Sequence, residues 1–146
     1  MMANEDTIRL LREVDAGVKM AVKSFDEVME RIKSPKFKEQ LEESRKKHKE
    51  IEEKTESRLS EYGSEDKEPS KMATAMAWMK INYKYATDPT DSEIASLMID
   101  GCNMGIQSIS RYFNKYPAAD EEVKKMVDDV VKLEQKLMDE LRFYLN

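Results

Sequence analysis

The chain contains one histidine and one cysteine, the two side-chain types best suited to metal binding or nucleophilic chemistry. His48 lies in the charged stretch QLEESRKKHKEIEEK. Arg45 stands three residues before it and Ser44 four before it, so no acid shares its helix face on the preceding turn. Glu134 interrupts an otherwise apolar helical stripe near the end of the chain. These two residues are either metal ligands or a hydrogen-bonded pair in a core.

Cys102 is a weak candidate for nucleophilic catalysis. Nothing cationic neighbours it in the sequence, and there is no second histidine to form a Cys–His pair. We expect it to pack as a small buried hydrophobe. A single cysteine cannot form an internal disulfide, which indicates a reducing compartment. The sequence also lacks a Gly-rich phosphate loop and a Ser-His-Asp arrangement.

The composition predicts one long-helix domain spanning residues 1–146. The chain has 38% charged and 40% hydrophobic residues with only 4 Gly and 4 Pro. Its net charge of −5 differs from the net positive charge that is typical of nucleic-acid-binding proteins. No stretch approaches the roughly 20 apolar residues of a membrane span, so we expect a soluble, cytoplasmic protein without a membrane or nucleic-acid partner.

Three helix starts are visible in the sequence. Ser34 precedes Pro35, which is the favoured order of an N-cap and a first helical residue. Thr90 and Glu93 have the spacing of a capping box. Asp120 precedes two glutamates, an arrangement that suits a helix N-terminus by both capping and dipole.

Between these starts, apolar side chains recur at steps of three and four, which predicts four long helices. Their stripes contain Ile8, Leu11, Asp15, Val18, Val22, Phe25, Met29 and Ile32; Phe37, Leu41, Ser44, His48, Ile51, Thr55, Leu59 and Tyr62; Ile94, Met98, Gly101, Gly105, Ile109, Tyr112 and Tyr116; and Val123, Val127, Val130, Glu134, Leu137, Leu141 and Tyr144. A shorter amphipathic stretch, KMATAMAWMKINYKYA, predicts a short additional helix between the second and third long ones.

The connections predict the topology. The two short turns make the first and second long helices antiparallel, and likewise the third and fourth. Roughly 28 residues join the second and third, enough to return along the bundle and make them parallel. The expected fold is therefore all-α, an up-down, long-crossover, down-up four-helix bundle. In pattern and topology the chain resembles the small bacterial ferritin-like proteins, including families of unknown function whose crossover holds a short helix with a tryptophan.

The resemblance implies a di-iron site, but the ligands that such a site requires are missing. Ferritin-like di-iron proteins use one Glu on each of two helices and Glu-x-x-His on the other two. Here Arg45 precedes His48, Leu137 follows Glu134 by three, and glycines stand in the third helix. We therefore predict a degenerate site with no catalytic residue, metal or cofactor. If a metal did bind, the candidates would be His48, Glu134, Asp15 and Asp100.

Counting residues from the end of the bundle that holds the Ser-Pro turn places His48 and Glu134 in the same layer. We predict that they face inward and bond to each other, because a buried imidazole and a buried carboxylate are costly when unpaired. Gly101 and Gly105 remove bulk at this level. Asp15 falls in a second polar layer opposite Thr55, where it would fix the helix register.

Three functions fit this interpretation. The first is a non-enzymatic helical bundle acting by self-association or partner binding, as a homodimer or with an unidentified protein. The second is a metal-binding or redox enzyme with an altered ligand set. The third is a small-molecule carrier using the space beside the two glycines. The stretch 71–86 would cover the flank of the bundle, or expose Trp78, Tyr83 and Tyr85 for dimerisation.

Overall fold

The computed structural model describes residues 4–63 and 88–146, and in these ranges the chain is helical without strands. Four long helices are followed by one short 3-10 turn at Arg142–Tyr144. The helices are α1, Glu5–Met29; α2, Pro35–Glu61; α3, Asp91–Lys115; and α4, Glu121–Leu141. The predicted all-α class is confirmed, whereas the predicted short helix within 71–86, with Trp78, Tyr83 and Tyr85, lies outside the described residues.

The helices begin where the sequence predicted. The side chains of Ser34, Thr90 and Asp120 each accept a hydrogen bond from the backbone N–H three residues later, at 3.2, 3.1 and 3.0 Å. These bonds satisfy N–H groups that have no partner within the helix. Asn4, which the sequence analysis did not single out, caps α1 in the same way at 2.8 Å.

Contacts between helix ends show the direction of each helix. At one end of the bundle, the carboxylate of Asp91, the first residue of α3, accepts from the backbone N–H groups of Lys33 and Ser34, between α1 and α2, at 2.8 and 2.9 Å. At the other end, the hydroxyl of Thr7 in α1 accepts from the N–H of Asp120, between α3 and α4, at 2.9 Å. Hence α1 and α4 run one way and α2 and α3 the other, as predicted.

The four helices form a bundle in which neighbouring helices are antiparallel. The neighbouring pairs are α1–α2, α3–α4, α2–α4 and α1–α3, and α1 also contacts α4 across the centre. Within the described residues, no Cα atom of α2 lies within 8 Å of a Cα atom of α3. The two parallel pairs, α1 with α4 and α2 with α3, are therefore the diagonal pairs of the bundle.

The core consists of two apolar clusters with a polar level between them. One cluster includes Leu10, Leu11, Val14, Val18, Leu59, Ile109, Val123 and Val127. The other includes Phe25, Val28, Phe37, Leu41, Ile94, Met98, Leu137 and Leu141. His48 lies on α2 between the two clusters, and Glu134 does the same on α4. Both side chains therefore lie on the inward-facing sides of their helices, about midway along the bundle.

Candidate functional site

His48 and Glu134 form the polar centre of the bundle. The His48 side chain has no exposed surface, and its Nε2 lies 2.6 Å from Oε1 of Glu134. Its Nδ1 lies 2.7 Å from the backbone carbonyl oxygen of Ser44, and its ring packs edge-on against Phe25 with centroids 5.1 Å apart. The predicted inward-facing pair is confirmed.

The contacts of His48 indicate which atoms of the His48–Glu134 pair carry hydrogens. A carbonyl oxygen only accepts, so the Nδ1 atom facing Ser44 carries a hydrogen and donates it. Glu134 also accepts from the thiol of Cys102. Because the hydrogen bond and the charge of Glu134 help to raise the pKa of His48 above its ordinary value, we assign His48 as an imidazolium that donates from both ring nitrogens and Glu134 as the carboxylate that accepts from Nε2. The centre of the bundle is thus a buried ion pair whose two charges cancel.

The protonation of His48 depends on Glu134. Burial lowers the pKa of the imidazole, but the hydrogen bond to Glu134, the charge of Glu134 and the carbonyl of Ser44 together outweigh burial. The net result is a pKa above the ordinary value of 6.5. The folded protein therefore holds a proton on His48 at a pH where the unfolded chain has released it.

This difference predicts a pH dependence of stability. The contribution of the pair to the free energy of unfolding should be complete below pH 6.5 and should fall as the pH rises through the folded pKa. Between the unfolded and the folded pKa of His48 the slope should be negative, with an upper limit of about 1.4 kcal/mol per pH unit, the value for one proton. Urea denaturation at intervals from pH 6 to pH 9 measures it. In the double variant His48→Leu/Glu134→Met, this fall in the free energy of unfolding with rising pH should be absent. Equal pH profiles for the unmodified protein and the double variant would contradict the prediction.

Cys102 belongs to the same centre. It is buried, as predicted, but it is more than a packing residue because its thiol bonds to Glu134. Burial, followed by the negative charge of Glu134 and this hydrogen bond, raises the pKa of the thiol well above its ordinary value. The thiol therefore stays protonated at neutral pH and is a poor nucleophile. No sequence signal revealed the link, since the two residues lie on different helices.

A second polar layer surrounds Asp15, a residue that is 3% exposed. Its Oδ1 accepts from the hydroxyl of Thr55 at 2.7 Å, as the sequence predicted. Its Oδ2 accepts from the ammonium group of Lys19 at 2.8 Å, and Lys19 also lies 3.1 Å from Glu56. The sequence analysis missed Lys19, although its position four residues after an acid on one helix is the usual spacing of an ion pair.

The four candidate metal ligands do not converge. His48 and Glu134 bond to each other, Asp15 bonds to Thr55 and Lys19, and Asp100 is exposed on α3. Thr55 lies seven residues beyond His48, or about 10 Å along α2, so the Asp15 layer is separate from the central pair. Within ranges 4–63 and 88–146, no group of three or more His, Cys, Asp or Glu side chains is arranged to hold a metal ion.

A half-enclosed groove lies between α1 and α3 and reaches the central pair. The space within it measures about 80 Å³. Its lining is mostly apolar or glycine and includes Glu134 and Cys102; it consists of Val14, Gly17, Met20, Ala21, Ser24, Phe25, Met98, Gly101, Cys102, Gly105, Ile109, Val130 and Glu134. Gly101 and Gly105 therefore leave space at the level of Glu134, as predicted. Gly17, on the opposite wall, was missed because it stands outside the predicted stripe of α1.

Gly105 offers a direct test of this space. A Cβ atom added at Gly105 meets no atom within 4 Å among the described residues. Alanine is favoured over glycine inside a helix, so Gly105→Ala should raise the free energy of unfolding by about 0.5–1 kcal/mol. Chemical denaturation measures the change. A loss of stability would instead mean that other atoms occupy the groove beside Gly105 in the folded protein.

These features define a class of protein: an all-helical bundle with a long crossover, a buried imidazolium–carboxylate pair and an apolar groove above it. The model of one family, Domain of unknown function (DUF2383), matches residues 6–115, and the chain belongs to that family. Neither curated proteins nor solved structures gave a match. No helix among the described residues combines the length and apolar character needed to cross a membrane.

Proposed function

We propose that this protein is a ferritin-like bundle that has lost its di-iron site and acts by binding rather than by catalysis. The topology supports the ferritin-like part, because two antiparallel helix pairs joined by one long crossover between parallel helices are the arrangement of ferritin-like folds. The binding face in this proposal is the α1–α3 groove, which is apolar and reaches the centre of the bundle.

The ion pair between His48 and Glu134 is the main observation in support of the proposed loss of the metal site. A di-iron centre needs carboxylates from all four helices at one level, with its two histidines directed at the ions. Here the imidazole is directed at a carboxylate 2.6 Å away, α1 contributes the apolar Val22 to the stripe, and α3 contributes glycines. Among the residues that the structure describes, the side chains at this level do not fit a di-iron centre.

The metal content of the purified protein tests this part of the proposal. The protein is produced in medium supplemented with iron and manganese and purified without chelator, alongside His48→Ala and a surface control, Lys47→Ala. We expect substoichiometric metal that is the same in all three proteins. Stoichiometric iron or manganese that is lost in His48→Ala and kept in Lys47→Ala would overturn the proposal in favour of a metal-binding enzyme.

Self-association is a second candidate, favoured by apolar side chains exposed after α4. Phe143 is 82% exposed and Leu145 is 44% exposed. Exposed apolar side chains mark a contact surface between protein chains when they form a contiguous patch. Sedimentation velocity of the protein and of Phe143→Ser over a range of concentrations tests the idea. A dimer that Phe143→Ser weakens supports it, and a monomer at every concentration rules it out.

A further inference from the structure

We infer that the middle of the bundle opens locally when His48 loses its proton, while both ends of the bundle stay closed. The bundle consists of two helix hairpins, α1–α2 and α3–α4. His48 belongs to the first hairpin and Glu134 to the second, so their ion pair joins the hairpins about midway along the bundle. The pair thus acts as a pH-sensitive switch within the fold. This inference does not depend on the proposed function.

Apolar packing between the hairpins is interrupted at the level of the pair. Among the described residues, the buried apolar side chains form two separate clusters, one towards each end of the bundle. Where α1 faces α3 beside Glu134, the residues include Gly17, Gly101 and Gly105, which bring no side chain to the contact. Regions with few buried apolar contacts open locally more readily than the rest of a domain. The closed state therefore depends on the ion pair more strongly at mid-length than at the ends.

The ends of the bundle are joined by contacts that do not involve His48. At one end, the carboxylate of Asp91 in the second hairpin accepts from two backbone N–H groups in the turn of the first, at 2.8 and 2.9 Å. At the other end, the guanidinium of Arg58 lies 3.1 Å from the carboxylate of Asp120. Carboxylate and guanidinium groups ordinarily titrate well outside the range from pH 6 to pH 9. A change of pH within this range therefore acts on the middle of the bundle.

The groups that face His48 explain why loss of its proton favours opening. Among the described residues, α4 contributes Glu134 at 2.6 Å, α3 contributes Cys102, whose thiol bonds to Glu134, and α1 contributes the apolar ring of Phe25. On α2 itself, Nδ1 faces the carbonyl oxygen of Ser44. When the imidazole becomes neutral, the carboxylate of Glu134 stays in the interior without a compensating charge. Burying an unpaired charge is strongly unfavourable, and opening returns the carboxylate to water.

The direction of the pH effect follows from the two pKa values of His48. In the closed state, the hydrogen bond and the charge of Glu134 hold this pKa above 6.5, whereas in the open state the solvated imidazole returns to its ordinary value. Between the two values, opening releases a proton. The equilibrium constant for opening should therefore rise with pH in this range, by at most about tenfold per pH unit. Below pH 6.5 both states hold the proton, and opening is then least favourable.

The single cysteine of the chain reports the opening. Cys102 is 2% exposed in the closed state, so iodoacetamide alkylates it only after the thiol reaches solvent. Rates measured on the full-length protein from pH 6 to pH 9 are divided by the rate for the urea-unfolded protein at the same pH. This division removes the ordinary effect of pH on thiol reactivity. We expect the normalised rate to rise with pH by a factor of at least about three.

Urea distinguishes local opening from unfolding of the whole chain. The dependence of an equilibrium on urea grows with the surface that becomes exposed. At pH 9 and below the unfolding transition, we expect the labelling of Cys102 to depend little on urea and to be faster than global unfolding allows. If labelling at every pH has the rate and the urea dependence of global unfolding, the inference is wrong.

A matched pair of variants assigns the pH effect to the ion pair. Glu134→Gln keeps a hydrogen-bonding side chain opposite His48 but removes its charge, so the rise in labelling with pH should disappear. Asp139→Asn makes the same chemical change at an exposed position of α4 and should preserve the rise. If Glu134→Gln does not fold, the double variant His48→Leu/Glu134→Met replaces it, with the same expected result. A rise that persists without the charge of Glu134, or that disappears in Asp139→Asn, would overturn the inference.

Discussion

Replacing His48 with alanine is expected to lower the free energy of unfolding by about 3–5 kcal/mol, the usual cost of removing one partner from a buried ion pair. The substitution leaves the carboxylate of Glu134 in the interior with only the thiol of Cys102 as a described donor. It also removes a ring that packs edge-on against Phe25. Urea denaturation at pH 6, where His48 is charged in the folded state, measures the effect.

An apolar replacement of both partners provides the control. His48→Leu combined with Glu134→Met removes both charges and keeps most of the buried volume. Exchanges of this kind are often neutral or stabilising by about 1–4 kcal/mol, because the cost of removing two charges from water disappears. We therefore expect the double variant to be more stable than either single variant. If His48→Ala cost less than about 1 kcal/mol, the two side chains would not be a desolvated pair.

Replacing Asp15 with alanine is expected to lower the free energy of unfolding by about 2–3 kcal/mol. The carboxylate accepts from Thr55 and from Lys19 while almost fully buried, and a hydrogen bond to a charged group contributes about 1.5–3 kcal/mol. The loss should be smaller than for His48, because Thr55 keeps its second contact to the backbone carbonyl of Glu52 and Lys19 keeps its contact to Glu56. Chemical denaturation gives the value.

The conservative variant Asp15→Asn separates the hydrogen bond from the charge. Its amide oxygen can still accept from Thr55, whereas its charge interaction with Lys19 is lost, so about half of the effect should remain. A double-mutant cycle with Thr55→Val should show coupling of at least 0.5 kcal/mol, as expected for side chains in direct contact. Additive effects of Asp15→Ala and Thr55→Val would show that the layer does not connect α1 to α2.

The positions of helix starts and of buried stripes could be predicted from the sequence because they depend on local interactions. Capping by Ser34, Thr90 and Asp120 needs only an acceptor three residues before a free N–H. The periodicity of α2 predicts that Ser44, His48 and Thr55 face inward, and all three are buried. Pairing of His48 with Glu134 was also predictable, since His48 lies about as far from the start of α2 as Glu134 lies from the end of the 3-10 turn after α4, and both of these points are at the Ser-Pro end of the bundle.

The sequence by itself therefore determined four helices, their order and direction, and the two polar levels inside them. Only the tertiary structure decided that Cys102 joins His48 through Glu134, that Lys19 completes the Asp15 layer, and that a groove opens between α1 and α3. The physical reason is that these features depend on how far apart the helix axes lie and how each helix is rotated about its axis. Periodicity within one helix gives the direction of a side chain, but the distance to a side chain on another helix is set by the packing of the whole core.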